Sequence, residues 1–262
     1  MLDGMRAARI LLRRPTILWP AIAGTAIFSV MSIVLLFLTA SRPGGSRLTD
    51  PPILLENLAG AATPQLIIGR PVMVLGVVVL GIAATHTAGQ FSTGSIRLQL
   101  LRQPRRSLWL LSTWTVLVVA ATALSILAAG LALGTALICA SVWNVDTGAW
   151  FTGSSASELI AATLNLALGM SAFAVAGSAL AILFRSAAVT LAIGLIYTLF
   201  ENLFSSASDF ADGLFPVSAF SNVATFGANG GNYSYSLAAT VVFISIITLA
   251  VNQVFATRDV TD

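Results

Sequence analysis

Gln90-Phe-Ser-Thr-Gly-Ser-Ile-Arg-Leu-Gln-Leu-Leu-Arg-Gln-Pro-Arg-Arg106 separates two long charge-free stretches, Pro71–Gly89 before it and Ser107–Val145 after it. Each stretch has about the 20 apolar residues that a helix needs to cross the hydrocarbon of a bilayer. A connector between such segments needs only a short polar turn, yet this one carries Arg97, Arg102, Arg105 and Arg106 together with an apolar pattern. Ile96 and Leu100 are spaced to share one helical face, and Leu98 and Leu101 another. Pro104 ends the pattern. The spacing predicts a short helix over Gly94–Gln103, capped by Ser92 or Thr93. Apolar residues have no purpose in a loop that only sets topology or touches anionic lipid. The stretch therefore reads as a cytoplasmic docking element gripped by a soluble protein.

Composition fits the same picture. The hydrophobic share is 57% and the charged share 9%, against roughly 25% charged in an average soluble domain. A chain of 262 residues cannot hide that much apolar surface from water, so the bilayer is its expected solvent. All 13 basic residues are arginine. Without a lysine there is no P-loop, whose lysine reaches the terminal phosphates of a nucleotide. Cys139 is the single cysteine and His86 the single histidine, which excludes an internal disulfide and argues against a zinc site. The first apolar segment runs far past the h-region of a signal peptide, and a cleaved leader is not expected.

Outward from the connector, six spans are expected. Pro15–Ser41 is the first, preceded by a basic segment in which Arg6, Arg9 and Arg13 share one face opposite Met5, Ala8, Leu11 and Leu12. Residues 1–14 read as an amphipathic helix lying in the membrane interface. Ser41–Arg70 reads as a polar loop with a short amphipathic piece near Ile53–Leu58. Pro71–Gly89 is the second span, and the long third ends at an outer turn, Asn144–Gly148. Leu159–Phe184 is the fourth; Arg185 marks a tight hairpin into the fifth, which begins at Ser186 and meets Glu201. Leu214–Phe226 reads as a short or re-entrant element before the sixth span, Ser234–Phe255.

With six spans both termini share a side. Arg6, Arg9, Arg13, Arg14, Arg97, Arg102, Arg105, Arg106, Arg185 and Arg258 then fall together, against Arg42, Arg47 and Arg70 opposite. The positive-inside rule makes that arginine-rich side cytoplasmic. The whole chain, 1–262, reads as one transmembrane domain with no soluble domain on either side, and nothing in it points to nucleic acid.

Three internal features bear on chemistry. Gly169-Met-Ser-Ala172 looks like the glycine-x-serine of rhomboid proteases, but a serine nucleophile needs a histidine within hydrogen-bonding reach, and His86 lies at the far end of another span. Gly130 and Gly134, and the small residues Ala172, Ala176, Gly177 and Ala181, read as close helix contacts. Glu201 is an acid in an apolar span, roughly 22 Å along a helix from Arg185, near the outer boundary. It either lines a cavity or gate or is a solvated carboxylate at a helix end. A proton relay chains several buried acids or histidines, so a secondary transporter is disfavoured.

Thr87-Ala-Gly-Gln-Phe-Ser-Thr-Gly-Ser-Ile-Arg97, followed by Leu100-Leu-Arg-Gln-Pro-Arg-Arg106, resembles the second-to-third-span segment of type-two ABC exporter permeases. Phe255-Ala-Thr-Arg-Asp-Val-Thr261 is similar to the ending that follows their last span. The resemblance implies two six-span halves, as a homodimer or with a related permease, each binding a cytosolic ATP-binding-cassette subunit. Its coupling helix would be about Gly94–Gln103, with Gly94, Ile96, Arg97, Leu98, Leu100, Leu101 and Arg102 as docking residues. The basic N-terminal helix would be the interfacial connecting helix, and Tyr197, Glu201 and Asn202 cavity or gate candidates. ATP and magnesium would belong to the partner; this chain would bind no cofactor and no metal and would not itself be an enzyme. Gln90 stands where relatives usually carry glutamate, which removes any role that needs the charge. The implied function is outward movement of an amphipathic or hydrophobic compound, such as a drug, antibiotic, lipid or peptide, across a bacterial cytoplasmic membrane. The alternative is a non-translocating immunity or sensor subunit that docks an ATPase.

Overall fold

The computed structural model describes residues 15–41, 53–102, 106–152, 155–207, 215–226 and 232–257. The expected interfacial helix with Arg6, Arg9 and Arg13 lies outside these residues, as does the tail from Arg258. Among the described residues the α-helices are α1 (Pro15–Ala40), α2 (Thr63–Gly69), α3 (Val72–Ser92), α4 (Ser95–Arg102), α5 (Arg106–Val142), α6 (Ser155–Phe184), α7 (Ala187–Ala207), α8 (Pro216–Ala224) and α9 (Tyr233–Thr257). Short 3-10 turns lie at Leu55–Ala59 and Gly148–Phe151. Among the described residues five helical stretches are long and apolar enough to cross a membrane: Thr16–Ala40, Thr63–Ser92, Arg106–Val142, Ser157–Phe184 and Tyr233–Val254. This is the build of a multi-pass, all-helical membrane protein. The apolar part of α7, Ala187–Glu201, is shorter.

One stretch departs from expectation. Thr63–Gly69 is helical rather than part of a polar loop, and two of its residues, Ile67 and Ile68, are fully buried. Pro64 sits in the first turn, where its missing N–H costs nothing. The Arg70 N–H still bonds to the Leu66 and Ile67 carbonyls, so α2 leads into α3 with little interruption.

At its 37 residues α5 is roughly 55 Å long, well over the about 30 Å of hydrocarbon. Its surplus forms a post at the end where α1 finishes. Phe37 packs there against Trp143, and Ala132, Ala136 and Ala140 join a cluster with Trp150. The Trp150 indole donates to the Leu58 carbonyl at 2.9 Å, pinning one 3-10 turn to the other.

Helix α6 is the most enclosed of the long helices, held between α3, α5, α8 and α9. Its register on α3 runs Phe173 to Gly76, Gly177 to Leu80, and Ala181 beside Ala84 and Ala88, so the two helices are parallel. Apolar burial gives little drive where the solvent is itself hydrocarbon, so close backbone approach supplies the packing. A Cβ on Gly177 would lie 2.6 Å from the Leu80 carbonyl oxygen, and one on Gly169 would lie 2.6 Å from that of Phe220. The expectation for Gly130 and Gly134 fails within the chain: both are exposed, with nothing within 4 Å of an added Cβ. A GxxxG spacing guarantees a smooth face, not a neighbour for it.

Candidate functional site

The α4 end of the bundle is built from a left-handed hinge. Gly94 has φ +66°, a conformation that costs other residues about 1–2 kcal/mol. Its N–H bonds to the Phe91 carbonyl, closing α3 with a glycine just past the C-cap Thr93. The expected capping of α4 by Ser92 or Thr93 is not what forms. Both hydroxyls instead donate to the Gly89 carbonyl, at 3.2 and 2.7 Å, and so finish α3. The Ser95 hydroxyl reaches back to the Gln90 carbonyl at 3.3 Å and ties the start of α4 to the same helix.

Helix α4 then presents two faces. Ile96 is 2% exposed and belongs to the main core, whereas Leu98 is 66% and Leu101 82% exposed. The apolar pairs read from spacing thus separate: Ile96 anchors, and Leu98 with Leu101 faces away from the bundle. Side chains of Arg97, Leu100 and Arg102, and all of Gln103, lie outside the described residues. Gln99 fixes the helix laterally, accepting a 2.8 Å hydrogen bond from the Trp109 indole in the first turn of α5. Trp109 meets Phe91 edge-on, with centroids 6.3 Å apart, and the Arg185 guanidinium carbon lies 5.9 Å from the centre of the Phe91 ring. Sequence spacing gave no sign of this grouping. Its members come from two helix ends, the middle of α4 and a turn, and only an indole needing an acceptor near a connector hinted at it.

Just inside this end sits a buried polar layer. The Gln90 amide bonds to His86 Nε2 at 3.0 Å, one helical turn away, and both side chains are buried. A histidine that accepts at Nε2 carries its proton on Nδ1; Nδ1 and the Gln90 amide oxygen are buried without partners. Beside them the Ser178 hydroxyl accepts from Thr87 at 2.9 Å and from the Trp114 indole at 3.1 Å, joining α3, α5 and α6.

At the opposite end Glu201 corrects one of its two sequence readings: it is 5% exposed, so it is not a solvated carboxylate at a helix end. Its oxygens accept from the backbone N–H groups of Val217, at 3.1 Å, and Ser218. These are orphan donors of the first turn of α8, and a carboxylate there also meets the positive end of the helix dipole. Tyr197 stands one turn back on the same helix, α7. The side chain of Asn202 lies outside the described residues. The crevice between α3, α6, α7 and α8, lined by Leu80, Phe173, Leu191, Thr198 and Val217, holds about 20 Å³, room for one water.

The serine-protease resemblance finds no geometry: the Ser171 hydroxyl bonds to the Ala167 carbonyl of its own helix, and His86 is engaged with Gln90. Among the described residues no three metal-ligating side chains come together.

A family model described as a protein of unknown function, DUF2705, matches residues 55–261. The chain belongs to the DUF2705 family. The DUF2705 match takes in α2 to α9, and with them the α4 surface and the Glu201 clamp; it leaves out α1. No curated protein and no solved structure matches the chain.

Proposed function

We propose that this chain is the membrane-spanning subunit of an ATP-driven exporter of the type-two ABC class. The observation that carries the reading is the two-faced α4. It is a short helix hinged at Gly94 and anchored by Ile96 and the Trp109–Gln99 bond, with Leu98 and Leu101 presented outward at a bundle end. A leucine pair exposed on a short basic connector suits a protein groove better than headgroups, where charge alone suffices. In this reading α7 crosses the membrane as the fifth of six spans, with both chain termini and α4 cytoplasmic. The charge distribution supports that orientation: Arg97, Arg102, Arg106 and Arg185 lie at the α4 end, and Glu56, Asp146 and Glu158 at the other. ATP and magnesium belong to a cytosolic partner.

The crevice beside α7 holds about 20 Å³, and a wider hollow lined by Ala62, Gln65, Glu158, Ala161 and Phe226 holds about 530 Å³; of the two, the second reaches the roughly 300–1,000 Å³ of ligand sites. A second permease half, a copy or a homologue, would complete a path for an amphipathic or hydrophobic compound. The little room beside α7 keeps the non-translocating immunity or sensor subunit as the second reading. The two part in membrane vesicles holding the chain and its co-purifying ATPase. Uptake of amphipathic dyes that needs ATP and stops when the partner's hydrolysis is inactivated supports the exporter; an active ATPase with no dye movement across a broad panel supports the sensor.

A further inference from the structure

The four side chains grouped at the α4 end form one unbroken contact chain. Gln99 on α4 accepts from Trp109 on α5, Trp109 packs edge-on to Phe91 at the end of α3, and Arg185 covers Phe91 from the α6–α7 turn. That turn is only two residues, Arg185 and Ser186, between Phe184 and Ala187. Arg185 is held at φ 51°, uncommon for a residue with a Cβ, with its N–H on the Ala181 carbonyl at 2.9 Å. Ser186 opens α7 directly: its carbonyl receives the Thr190 N–H at 3.1 Å. A displacement of the Arg185 side chain therefore has no slack loop in which to dissipate before reaching α7.

Helix α7 is suited to move as a body. One face is buried at Thr190 and Glu201, and Gly194 lies against Leu80; the other, including Ile196, Leu199, Phe200 and Leu203, is exposed. Directional contacts hold it at its two ends, Arg185 on Phe91 at one and Glu201 on the N-terminus of α8 at the other.

We propose that Gln99, Trp109, Phe91 and Arg185 form a mechanical link that makes the α6–α7 turn, and through it α7 and the Glu201 clamp, respond to occupancy of the α4 surface. The proposal rests on α4 being a docking surface, but the link itself is a property of the chain alone. Arg185, Phe91 and Trp109 are positioning residues in this scheme.

The test is hydrogen exchange measured by mass spectrometry on the purified chain in lipid nanodiscs, without a partner. Coupling between two places is reciprocal. Gln99→Ala should accelerate exchange not only in α4 but in the first turns of α7 (187–194), and Arg185→Gln should accelerate exchange in α4 as well as in α7. The expected size is about fivefold, the low end of coupling between sites. Arg185→Lys keeps the charge but loses the planar stacking group, so it should give a smaller change in the same segments and a well-folded comparison. Exchange in the middle of α9 should not change in any variant. Effects confined to the mutated element, in both directions, would overturn the link while leaving α4 free to be a docking surface. Reciprocal effects in a chain that binds no ATPase would keep the link and remove the docking partner.

Discussion

Glu201 and Val217 stand on different helices, and the Val217 N–H donates to the Glu201 carboxylate at 3.1 Å. The carboxylate supplies from α7 the cap that α8 lacks from its own sequence, where Phe215 occupies the N-cap position without a side-chain bond. The acid on α7 is thus a bracket holding a short buried helix.

The bracket has a measurable strength. Hydrogen bonds to charged groups contribute about 1.5–3 kcal/mol each when buried. With two such bonds, Glu201→Ala should lower stability in detergent by about 3 kcal/mol or more, and Glu201→Gln, which keeps one acceptor, by about half that. Thermal unfolding of the two variants checks the order; an alanine variant as stable as the parent contradicts the bracket.

Small residues in the long helices divide into two groups that sequence alone cannot separate. Gly177→Ala and Gly169→Ala place a methyl against backbone that has no room for it, and overpacking of this kind costs about 1–3 kcal/mol. Gly130→Ala and Gly134→Ala meet open space, so stability in detergent should change by no more than about 0.5 kcal/mol. Unfolding midpoints of the four variants, compared as two pairs, test the difference.

Ser178 is the shared acceptor of Thr87 and Trp114. Ser178→Ala leaves an indole N–H and a hydroxyl buried together. The expected cost is about 1 kcal/mol, given that polar contacts in membrane bundles average about 0.6. Near-ultraviolet circular dichroism should also report a changed tryptophan environment, and an unchanged spectrum with unchanged stability would count against the node.

Gly94→Ala isolates the hinge. An added Cβ touches nothing within 4 Å, so the whole cost is the left-handed backbone, about 1–2 kcal/mol. The strain should appear as faster hydrogen exchange in α4, with the spans unaffected.

Much of the architecture was readable because the bilayer demands long charge-free helices. The long α5, the tight turn at Arg185 and the short element at α8 all follow from where charges and glycines interrupt apolar runs. The short helix α4 was readable from a glycine, a proline and an apolar pattern in a basic connector. Spacing paired Ile96 with Leu100 and Leu98 with Leu101, but did not tell that Ile96 faces the bundle and Leu98 with Leu101 away from it; that depends on the direction the chain takes at Gly94. Helix α2 was hidden by Pro64 and Arg70, residues that suit a loop as well as a helix start and a helix junction. The partner of Glu201 was hidden because backbone N–H groups leave no mark in a sequence. Contacts among Phe91, Trp109 and Arg185 join segments far apart in the chain, and no local pattern encodes them.

The most direct measurement is co-purification from mild detergent, comparing the parent chain with a Leu98→Glu/Leu101→Glu double variant. The account predicts that the parent carries a stoichiometric nucleotide-binding protein with ATPase activity. The double variant should remain folded, with the same unfolding midpoint, and retain less than about a tenth of the partner, as expected when central contacts of an interface are removed. A parent chain free of any ATPase under conditions that preserve labile complexes, or a double variant that keeps its partner in full, would contradict it.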